Sequence, residues 1–316
     1  MTSVVSSRTA GAGNSPVFLN PGDHTLNLSH EHRERSAVIH VPSRAFGGDR
    51  FPVVVNFHGG GGHAANQQDY SLMDRAADRE GFIAVYPNGT GRFRNRLLTW
   101  NAETCCGYAV ANRLDDVGFI IALLQRIAEL VPIDHGRIYA TGLSNGAMMA
   151  YRMASEASQY FAAIAPVAGA MVVEKILAPR HVPVMHFHSV DDPRALYQGG
   201  LGPPFPLTNT RVLHPNVDET IARWVRHNGC KPEGTIAVRL VGRSVPEHTA
   251  ARYDYRPCRD GSEVALWKLT GAGHVWPGGK PKYLPKLLGF STDVIDANSE
   301  MWKFFSRFRL KNTSAR

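Results

Sequence analysis

Hydrophobic and polar residues recur along the chain with two different periods. Short apolar runs such as Phe51–Phe57 (FPVVVNF) predict strands buried on both faces. Asp115–Val131 carries apolar residues at helical spacing and is followed by Pro132. Similar patterns predict further strands at Ala37–Val41, Phe82–Tyr86, Arg137–Thr141, Ala163–Val167, Val182–Phe187 and Val264–Leu269, and helices at Asn145–Ser158, Val217–Arg226 and Ala297–Phe308.

The alternation of strands and helices predicts an α/β fold with a mostly parallel central sheet and helices on both faces. We expect a single domain over residues 17–310, with flexible tails at residues 1–16 and 311–316. A Gly- and Pro-rich segment near residues 193–215 interrupts the pattern. Because long structureless loops in compact domains are usually functional or mobile, we expect this one to lie beside a functional site.

Composition is that of a globular protein, with 43% hydrophobic and 20% charged residues. No apolar run approaches the roughly 18 residues of a membrane span. Residues 1–16 lack the basic start and apolar stretch of a secretion signal. The net charge is +8, but there is no dense basic run and no zinc-finger or RNP-like motif. We therefore expect neither a membrane nor a nucleic acid as partner.

The four cysteines are Cys105, Cys106, Cys230 and Cys258, and none forms a C-x-x-C pair, so no metal site is expected. Of the three pairings, Cys230–Cys258 is favoured, because both residues lie near Gly or Pro and flank a plausible hairpin region. Such a bridge would add roughly 3 kcal/mol to the free energy of unfolding, and it would indicate an oxidising compartment. Reduced thiols in a cytoplasmic protein are the alternative.

The segment Gly-Leu-Ser-Asn-Gly at residues 142–146 lies between a predicted strand and a predicted helix. This context is typical of a nucleophile elbow, in which a tight turn exposes the serine hydroxyl above the sheet. Ser144 is therefore the candidate nucleophile. Amide groups at the start of the following helix would stabilise a developing oxyanion.

A serine needs a base, and in this arrangement an acid and then a histidine follow it along the chain. The last predicted strand leads into Gly-Ala-Gly-His-Val-Trp, so His274 is the candidate base. The strand at residues 182–187 is followed by Asp191 and Asp192, either of which lies where α/β sites form. From position alone the choice between these two aspartates stays open.

An oxyanion hole requires two N–H donors. One is expected from Asn145, the residue after the nucleophile. The other is expected from the loop His-Gly-Gly-Gly-Gly at residues 58–62, with Gly60 preferred and Gly61 as the alternative. His58 is expected to shape this loop and not to bind a metal.

With these motifs the chain resembles bacterial esterases grouped with poly(3-hydroxybutyrate) depolymerases and feruloyl esterases. The resemblance implies an α/β-hydrolase fold, a Ser-Asp-His triad and ester cleavage without a cofactor. It covers roughly residues 36–308 and rests on FHGGGG (57–62), GFIAVYPNGTG (81–91), LLTWNAETCCGYA (97–109), DDVGFI (115–120), RIYATGLSNGAMMAYRMA (137–154), AAIAPVAG (162–169) and LTGAGHVWPGG (269–279).

By motif match, the family's serine and histidine fall on Ser144 and His274. Its acid usually stands immediately before a proline, which favours Asp192, although this chain has Ser-Val-Asp-Asp-Pro where a small residue is more usual. The resemblance also supports the Cys230–Cys258 bridge and implies a secreted or periplasmic location. The state of the adjacent pair Cys105 and Cys106 is left open.

Loops after the strands carry aromatic residues that are expected to line a substrate pocket, chiefly Trp100, Trp276 and Tyr197, with Phe205 as a further candidate. Each could equally be a packed core residue, and for Tyr86, on the same loops, the core is the preferred interpretation. Aromatic walls suit feruloyl or other aryl esters and the backbone of a polyhydroxyalkanoate-type polyester. The alternatives are a hydrolase of an acidic polymer such as poly(aspartic acid), a peptidase or acyltransferase, and a non-catalytic hydrolase-like binding protein. The acidic-polymer alternative depends on whether the loop cations converge on the site, namely Arg92, Arg94, Arg96, Arg194, Lys280, Lys282 and Lys286.

Overall fold

The computed structural model describes residues 3–5, 19–46, 48–94, 96–205 and 211–311. Its strands are β1 (Ser3–Val5), β2 (Gly22–His30), β3 (Arg33–Val41), β4 (Phe51–Phe57), β5 (Ile83–Pro87), β6 (Ile133–Leu143), β7 (Ala163–Val167), β8 (Val184–Ser189), β9 (Gly200–Leu201), β10 (Leu213–His214), β11 (Thr235–Val241), β12 (Thr249–Tyr255) and β13 (Val264–Thr270). Its helices are α1 (Ala64–Ser71), α2 (Met73–Glu80), α3 (Gly107–Ala111), α4 (Asp116–Leu130), α5 (Asn145–Glu156), α6 (Val217–His227), α7 (Pro285–Leu288) and α8 (Ala297–Phe305).

The strands form one large sheet in the order β1-β2-β3-β5-β4-β6-β7-β8-β13-β12-β11, and β9 pairs with β10 in a separate hairpin. The six central strands, from β5 to β13, are parallel. Strands β2 and β3 on one side, and β12 and β11 on the other, pair antiparallel. This sheet confirms the predicted α/β fold with a mostly parallel centre, and it places the carboxyl ends of the central strands along one edge.

Alternate residues of the central strands face two separate hydrophobic layers. Val53 and Val55 of β4 pack in the core on one face, together with residues of α4, α5 and α6. Val54, between them, packs in the core on the opposite face, with residues of α1, α2 and α8. Burial on both faces explains why this strand is a continuous apolar run.

Most predicted elements lie within a few residues of their observed bounds. Helix α4 begins after Asp115, whose carboxylate caps it by accepting from the Gly118 amide at 2.9 Å. The strand predicted at residues 137–141 is longer at both ends, and the helix predicted to reach Phe308 ends at Phe305. The elements that were not predicted are strands β1, β2, β9, β10, β11 and β12 and helices α1, α2, α3 and α7.

Three residues of the segment predicted as a tail, Ser3–Val5, pair with β2, and the rest of residues 1–16 lies outside the described residues. Of the predicted C-terminal tail, only Lys311 is described. The segment 193–215 contains the short β9–β10 hairpin and runs beside the candidate site, and its residues 206–210 lie outside the described part of the chain.

Candidate active site

Ser144 occupies the sharp turn between β6 and α5. Its backbone has φ 58° and ψ −118°, a conformation that side-chain-bearing residues seldom adopt and that is held only when the surroundings enforce it. The surroundings here are backbone atoms. A Cβ on Gly146 would collide with the carbonyl of Phe57, and one on Gly142 would lie 2.6 Å from the carbonyl carbon of Gly146. These glycines allow β4, β6 and α5 to approach closely enough to form the turn.

The backbone amides of Gly60 and Asn145 are among those near Ser144 for which the described residues provide no acceptor. The neighbouring amides are engaged, because Gly61 N–H donates to the Leu98 carbonyl at 2.8 Å and Gly62 N–H to the Gly59 carbonyl at 3.0 Å. Gly60 lies beside Asn145, since a Cβ placed on it would be 3.6 Å from the Asn145 Cβ. Of the two glycines considered from the sequence, only Gly60 has an amide free to bind an oxyanion.

His274 and Asp192 form a buried pair after the ends of β13 and β8. His274 Nδ1 lies 2.7 Å from Asp192 Oδ2, and the Asp192 side chain is fully inaccessible to solvent. The other carboxylate oxygen accepts from the amides of Arg194 at 2.7 Å and Ala195 at 2.8 Å. Burial raises the pKa of Asp192, but His274, His188 and the Arg194 amide outweigh it, and the net pKa is lowered. The carboxylate is therefore ionised and aimed at the imidazole.

Asp191 has a different role from Asp192. It is exposed, and its Oδ2 accepts from the Gly271 amide at 2.7 Å, which ties the loop after β8 to the loop after β13. The Asp191 carboxylate thus accepts a hydrogen bond from a backbone amide, whereas the Asp192 carboxylate is hydrogen-bonded to the candidate base, His274. The structure thus places Asp192, the residue favoured by the family resemblance, against His274.

A chain of buried hydrogen bonds lies behind Asp192 and was not predicted. His188 Nε2–H donates to the Ala195 carbonyl at 2.7 Å, so its Nδ1 accepts from His186 Nε2–H at 3.0 Å. His186 Nδ1 then accepts from the Tyr151 hydroxyl at 3.0 Å. Burial lowers the pKa of both histidines, which keeps them neutral and consistent with this order of donors. The chain ends on Ala195, whose amide holds Asp192.

The three residues expected to line a substrate pocket are buried in this structure. Trp100 is 0% exposed, Trp276 1% and Tyr197 2%, and each packs inside the hydrophobic core. Tyr86 is equally buried. Phe205 is the candidate that does lie at the site, because a Cβ on Gly60 would be 3.5 Å from its ring. Aromatic type and loop position alone did not distinguish packing residues from accessible ones.

His58 shapes the glycine loop, as expected. Its Nδ1–H donates to the Gly59 carbonyl at 2.8 Å and its Nε2 accepts from the Gly89 amide at 2.9 Å. Burial lowers the pKa of His58 to about 4, so the ring is neutral at neutral pH. Both ring nitrogens are used in backbone contacts.

The predicted Cys230–Cys258 disulfide is present, and Cys105 is bonded to Cys106. Over the described ranges, one group of side chains has the spacing of a metal site, namely Asp23, His40 and Asp74, far along the chain from the triad candidates. Among the helices that the structure describes, none is both long and apolar enough to cross a membrane.

The fold and the site together define a serine hydrolase of the α/β-hydrolase type. A family model described as Esterase PHB depolymerase matches residues 36–228, more than half of the chain. A Nocardia uniformis subsp. tsuyamanensis protein named as an esterase, NocK, is 28% identical over 255 residues, which cover 75% of this chain and 69% of that protein. Feruloyl esterase B of Piromyces equi is 26% identical over 251 residues, and the match spans 78% of this chain but only 44% of the fungal protein.

Among solved structures, an acetyl xylan esterase from Aspergillus awamori shares the fold. It has a TM-score of 0.56 at 15% identity, over 89% of this chain and 98% of the other. The chain belongs to the Esterase PHB depolymerase family, as the sequence motifs predicted, and with that family to the carboxylic-ester hydrolases.

Proposed function

We propose that Ser144, His274 and Asp192 are the catalytic triad of this hydrolase and that the amides of Gly60 and Asn145 bind the oxyanion. The observation that carries this proposal is the buried hydrogen bond between His274 Nδ1 and Asp192 Oδ2, 2.7 Å long. A carboxylate fixed in this way orients the imidazole and leaves its Nε2 to act as the base.

The reaction then proceeds by two acyl transfers. His274 removes the Ser144 proton as the hydroxyl oxygen attacks the ester carbonyl, and the two amides stabilise the oxyanion. The imidazolium protonates the leaving alcohol, and the C–O ester bond breaks. Water, activated by the same imidazole, then releases the acid and restores the serine.

We infer that the acyl group is aryl, as in a feruloyl ester, or belongs to a polyhydroxyalkanoate-type polyester. Phe205 supports this inference, because its ring lies against Gly60 at the oxyanion loop and is only partly buried. Two of the similar proteins are named as a feruloyl esterase, from Piromyces equi, and as an acetyl xylan esterase, from Aspergillus awamori. Their names are consistent with ester-bearing plant polymers as the source of such groups.

The test is a panel of p-nitrophenyl butyrate, methyl ferulate and emulsified polyhydroxybutyrate, assayed with the unmodified protein and with Ser144→Ala. We expect the unmodified protein to hydrolyse at least one ester and Ser144→Ala to lose about 10⁶-fold in kcat, as triad removal does in other serine hydrolases. Ser158→Ala is the matched control, because Ser158 is also buried and its hydroxyl has no hydrogen-bond partner among the described residues. Hydrolysis by Ser144→Ala at the unmodified rate would contradict the assignment, and no hydrolysis of any ester by the unmodified protein would favour a binding protein.

A further inference from the structure

Three loop segments account for the whole net charge of the protein. Residues 90–98, 193–216 and 271–292 contain eight Lys and Arg and no Asp or Glu. The chain has 35 Lys and Arg in all, so 27 remain outside these segments, equal to its 27 Asp and Glu. Outside these three segments the protein has no net formal charge. We name their described residues, 90–94, 96–98, 193–205, 211–216 and 271–292, the rim segments.

The first rim segment, residues 90–94 and 96–98, is attached to the oxyanion loop. Gly61 N–H donates to the Leu98 carbonyl at 2.8 Å, and a Cβ on Gly61 would lie 3.9 Å from the Leu97 side chain. Arg92, Arg94 and Arg96 are exposed on this segment.

The other two rim segments hold the acid and the base. Arg194 of residues 193–216 donates its amide to Asp192, and Phe205 of the same segment lies against Gly60. Residues 271–292 contain His274 itself, whose amide donates to the Leu288 carbonyl at 2.6 Å. The three segments therefore border the site from the sides of the oxyanion loop, the acid and the base.

Most of the rim cations have no carboxylate partner. Lys280 pairs with Asp69 at 2.8 Å. For the other seven, no carboxylate of the described residues lies within ion-pair distance, and all but the half-buried Arg194 are exposed: Arg92, Arg94, Arg96, Arg194, Arg211, Lys282 and Lys286. Elsewhere about half of the described cations, 12 of 25, have a carboxylate within ion-pair distance, as Arg307 has in Glu263. Clustered like charge without counter-charges raises the local concentration of anions at a cleft.

Exposed apolar side chains lie between these cations. Phe93 is 57% exposed and Phe290 77%, on the first and third rim segments. The rim segments thus present both positive charges and flat apolar surfaces. Such a surface suits a polymeric ligand that carries both anionic groups and C–H faces. Sugar rings and aliphatic backbones have such faces, and Arg suits carboxylates because its planar group can bind both oxygens.

We propose that the ester substrate is carried on an anionic polymer, a polycarboxylate of the acidic-polysaccharide type, and that the rim segments hold its chain across the mouth of the site. This inference rests on the proposed esterase function, selects the aryl ester of the two substrates named there because a polyhydroxyalkanoate chain is uncharged, and adds the class of the polymer. A polycarboxylate is favoured over a nucleic acid because the site at the centre of the rim cleaves carboxylic esters, which nucleic acids lack.

The test measures binding separately from hydrolysis. Fluorescently labelled polygalacturonate is titrated with Ser144→Ala, in which catalysis is removed, and labelled neutral xylan serves as the uncharged comparison. A rim variant adds Arg92→Gln, Arg94→Gln and Arg96→Gln. A matched control adds Lys231→Gln, Arg239→Gln and Arg259→Gln, three exposed cations near the amino ends of the parallel strands or on the edge strand β11. Both variants lose three charges.

We expect the rim variant to bind polygalacturonate about tenfold more weakly than its parent, the Ser144→Ala protein. The control variant should bind it as tightly as that parent does. Raising the ionic strength should weaken binding to the parent, because the screening length falls from about 30 Å at 0.01 M to about 8 Å at 0.15 M salt. The polymer should also inhibit hydrolysis of p-nitrophenyl butyrate by the unmodified protein, since it covers the site. Thermal melting of each variant checks that it is folded.

Three results would each overturn the inference and leave the esterase proposal standing. They are an equal loss of polygalacturonate affinity in the rim and control variants, binding of xylan as tight as that of polygalacturonate, and no inhibition of p-nitrophenyl butyrate hydrolysis by polygalacturonate. Tighter binding of polyuridylate than of polygalacturonate would assign the rim to a nucleic acid. Failure of the esterase proposal has a different signature, which is that the unmodified protein hydrolyses no ester at all.

Discussion

The side chain of Asn145 holds both polar main-chain groups of Trp100. Its Oδ1 accepts from the Trp100 amide at 2.7 Å, and its Nδ2 donates to the Trp100 carbonyl at 3.1 Å. The Trp100 indole N–H in turn donates to the carbonyl of His58 at 3.0 Å. Trp100 therefore links the start of α5 to the glycine loop, the two segments that supply the proposed oxyanion donors.

Asn145→Ala keeps the backbone amide at the oxyanion site but removes this link. We expect the free energy of unfolding to fall by about 1–3 kcal/mol, because the buried Trp100 amide loses its acceptor. We also expect kcat for p-nitrophenyl butyrate to fall more than KM rises, since the two donors are no longer held in register. Asn112→Ala, which removes an exposed amide-to-carbonyl bond to Tyr108, is the control. Unchanged kcat would show that the link does not position the donors.

The buried chain from Tyr151 to Ala195 is expected to position Asp192. His188→Leu removes the donor to the Ala195 carbonyl, and we expect kcat to fall on the order of tenfold to a hundredfold because small misplacements of catalytic groups are costly. KM should change little, since the His188 side chain is 1% exposed. His188→Gln, which retains an N–H donor, should recover part of the loss. A rise in KM with unchanged kcat would point to a substrate contact instead.

Arg35 and Asp116 form a buried ion pair with a 2.7 Å contact, and Asp116 also accepts from the Asn101 amide at 2.8 Å. Asp116→Ala leaves the guanidinium buried without its carboxylate, and we expect a loss of about 3–5 kcal/mol in the free energy of unfolding, measured by urea denaturation. The double variant Arg35→Met/Asp116→Leu should lose less, because no charge stays buried.

The exposed pair of Arg226 and Glu219 is the control for this prediction. Glu219→Ala should cost about 0–1 kcal/mol, since exposed ion pairs contribute little. Equal effects of Glu219→Ala and Asp116→Ala would show that burial of the Arg35–Asp116 pair is not what makes it important.

His40 should make stability depend on pH. Burial lowers the pKa of His40, but Asp23, Asp74 and Asp78 outweigh it, and the net pKa is raised above its ordinary value of 6.5. A raised folded-state pKa means that the contribution is complete below the unfolded pKa and is lost as the pH rises through the folded pKa. His40→Gln should therefore cost more stability at pH 5.5 than at pH 9, measured by urea denaturation. An equal cost at the two pH values would contradict this sign.

The parts of the fold that follow from local pattern were predictable. Helix α4 and strand β4 were predicted to within a residue, because burial on one helix face or on both strand faces leaves a regular apolar pattern. Strands β2 and β11 were missed. Most residues of β11 are exposed, so the strand has no apolar alternation and is defined by its pairing with β12.

For the candidate site, the sequence by itself determined the residue types, their order and the turn that holds Ser144. These follow from motifs of neighbouring residues. Only the tertiary structure decided that Asp192, and not Asp191, meets His274, that Gly60 has the free amide, and that Trp100 lies in the core. The physical reason is that each outcome depends on partners more than thirty residues away in the chain. The net charge of +8 is likewise a property of the sequence, whereas the contacts that bring the three rim segments to the oxyanion loop, the acid and the base are a property of the fold.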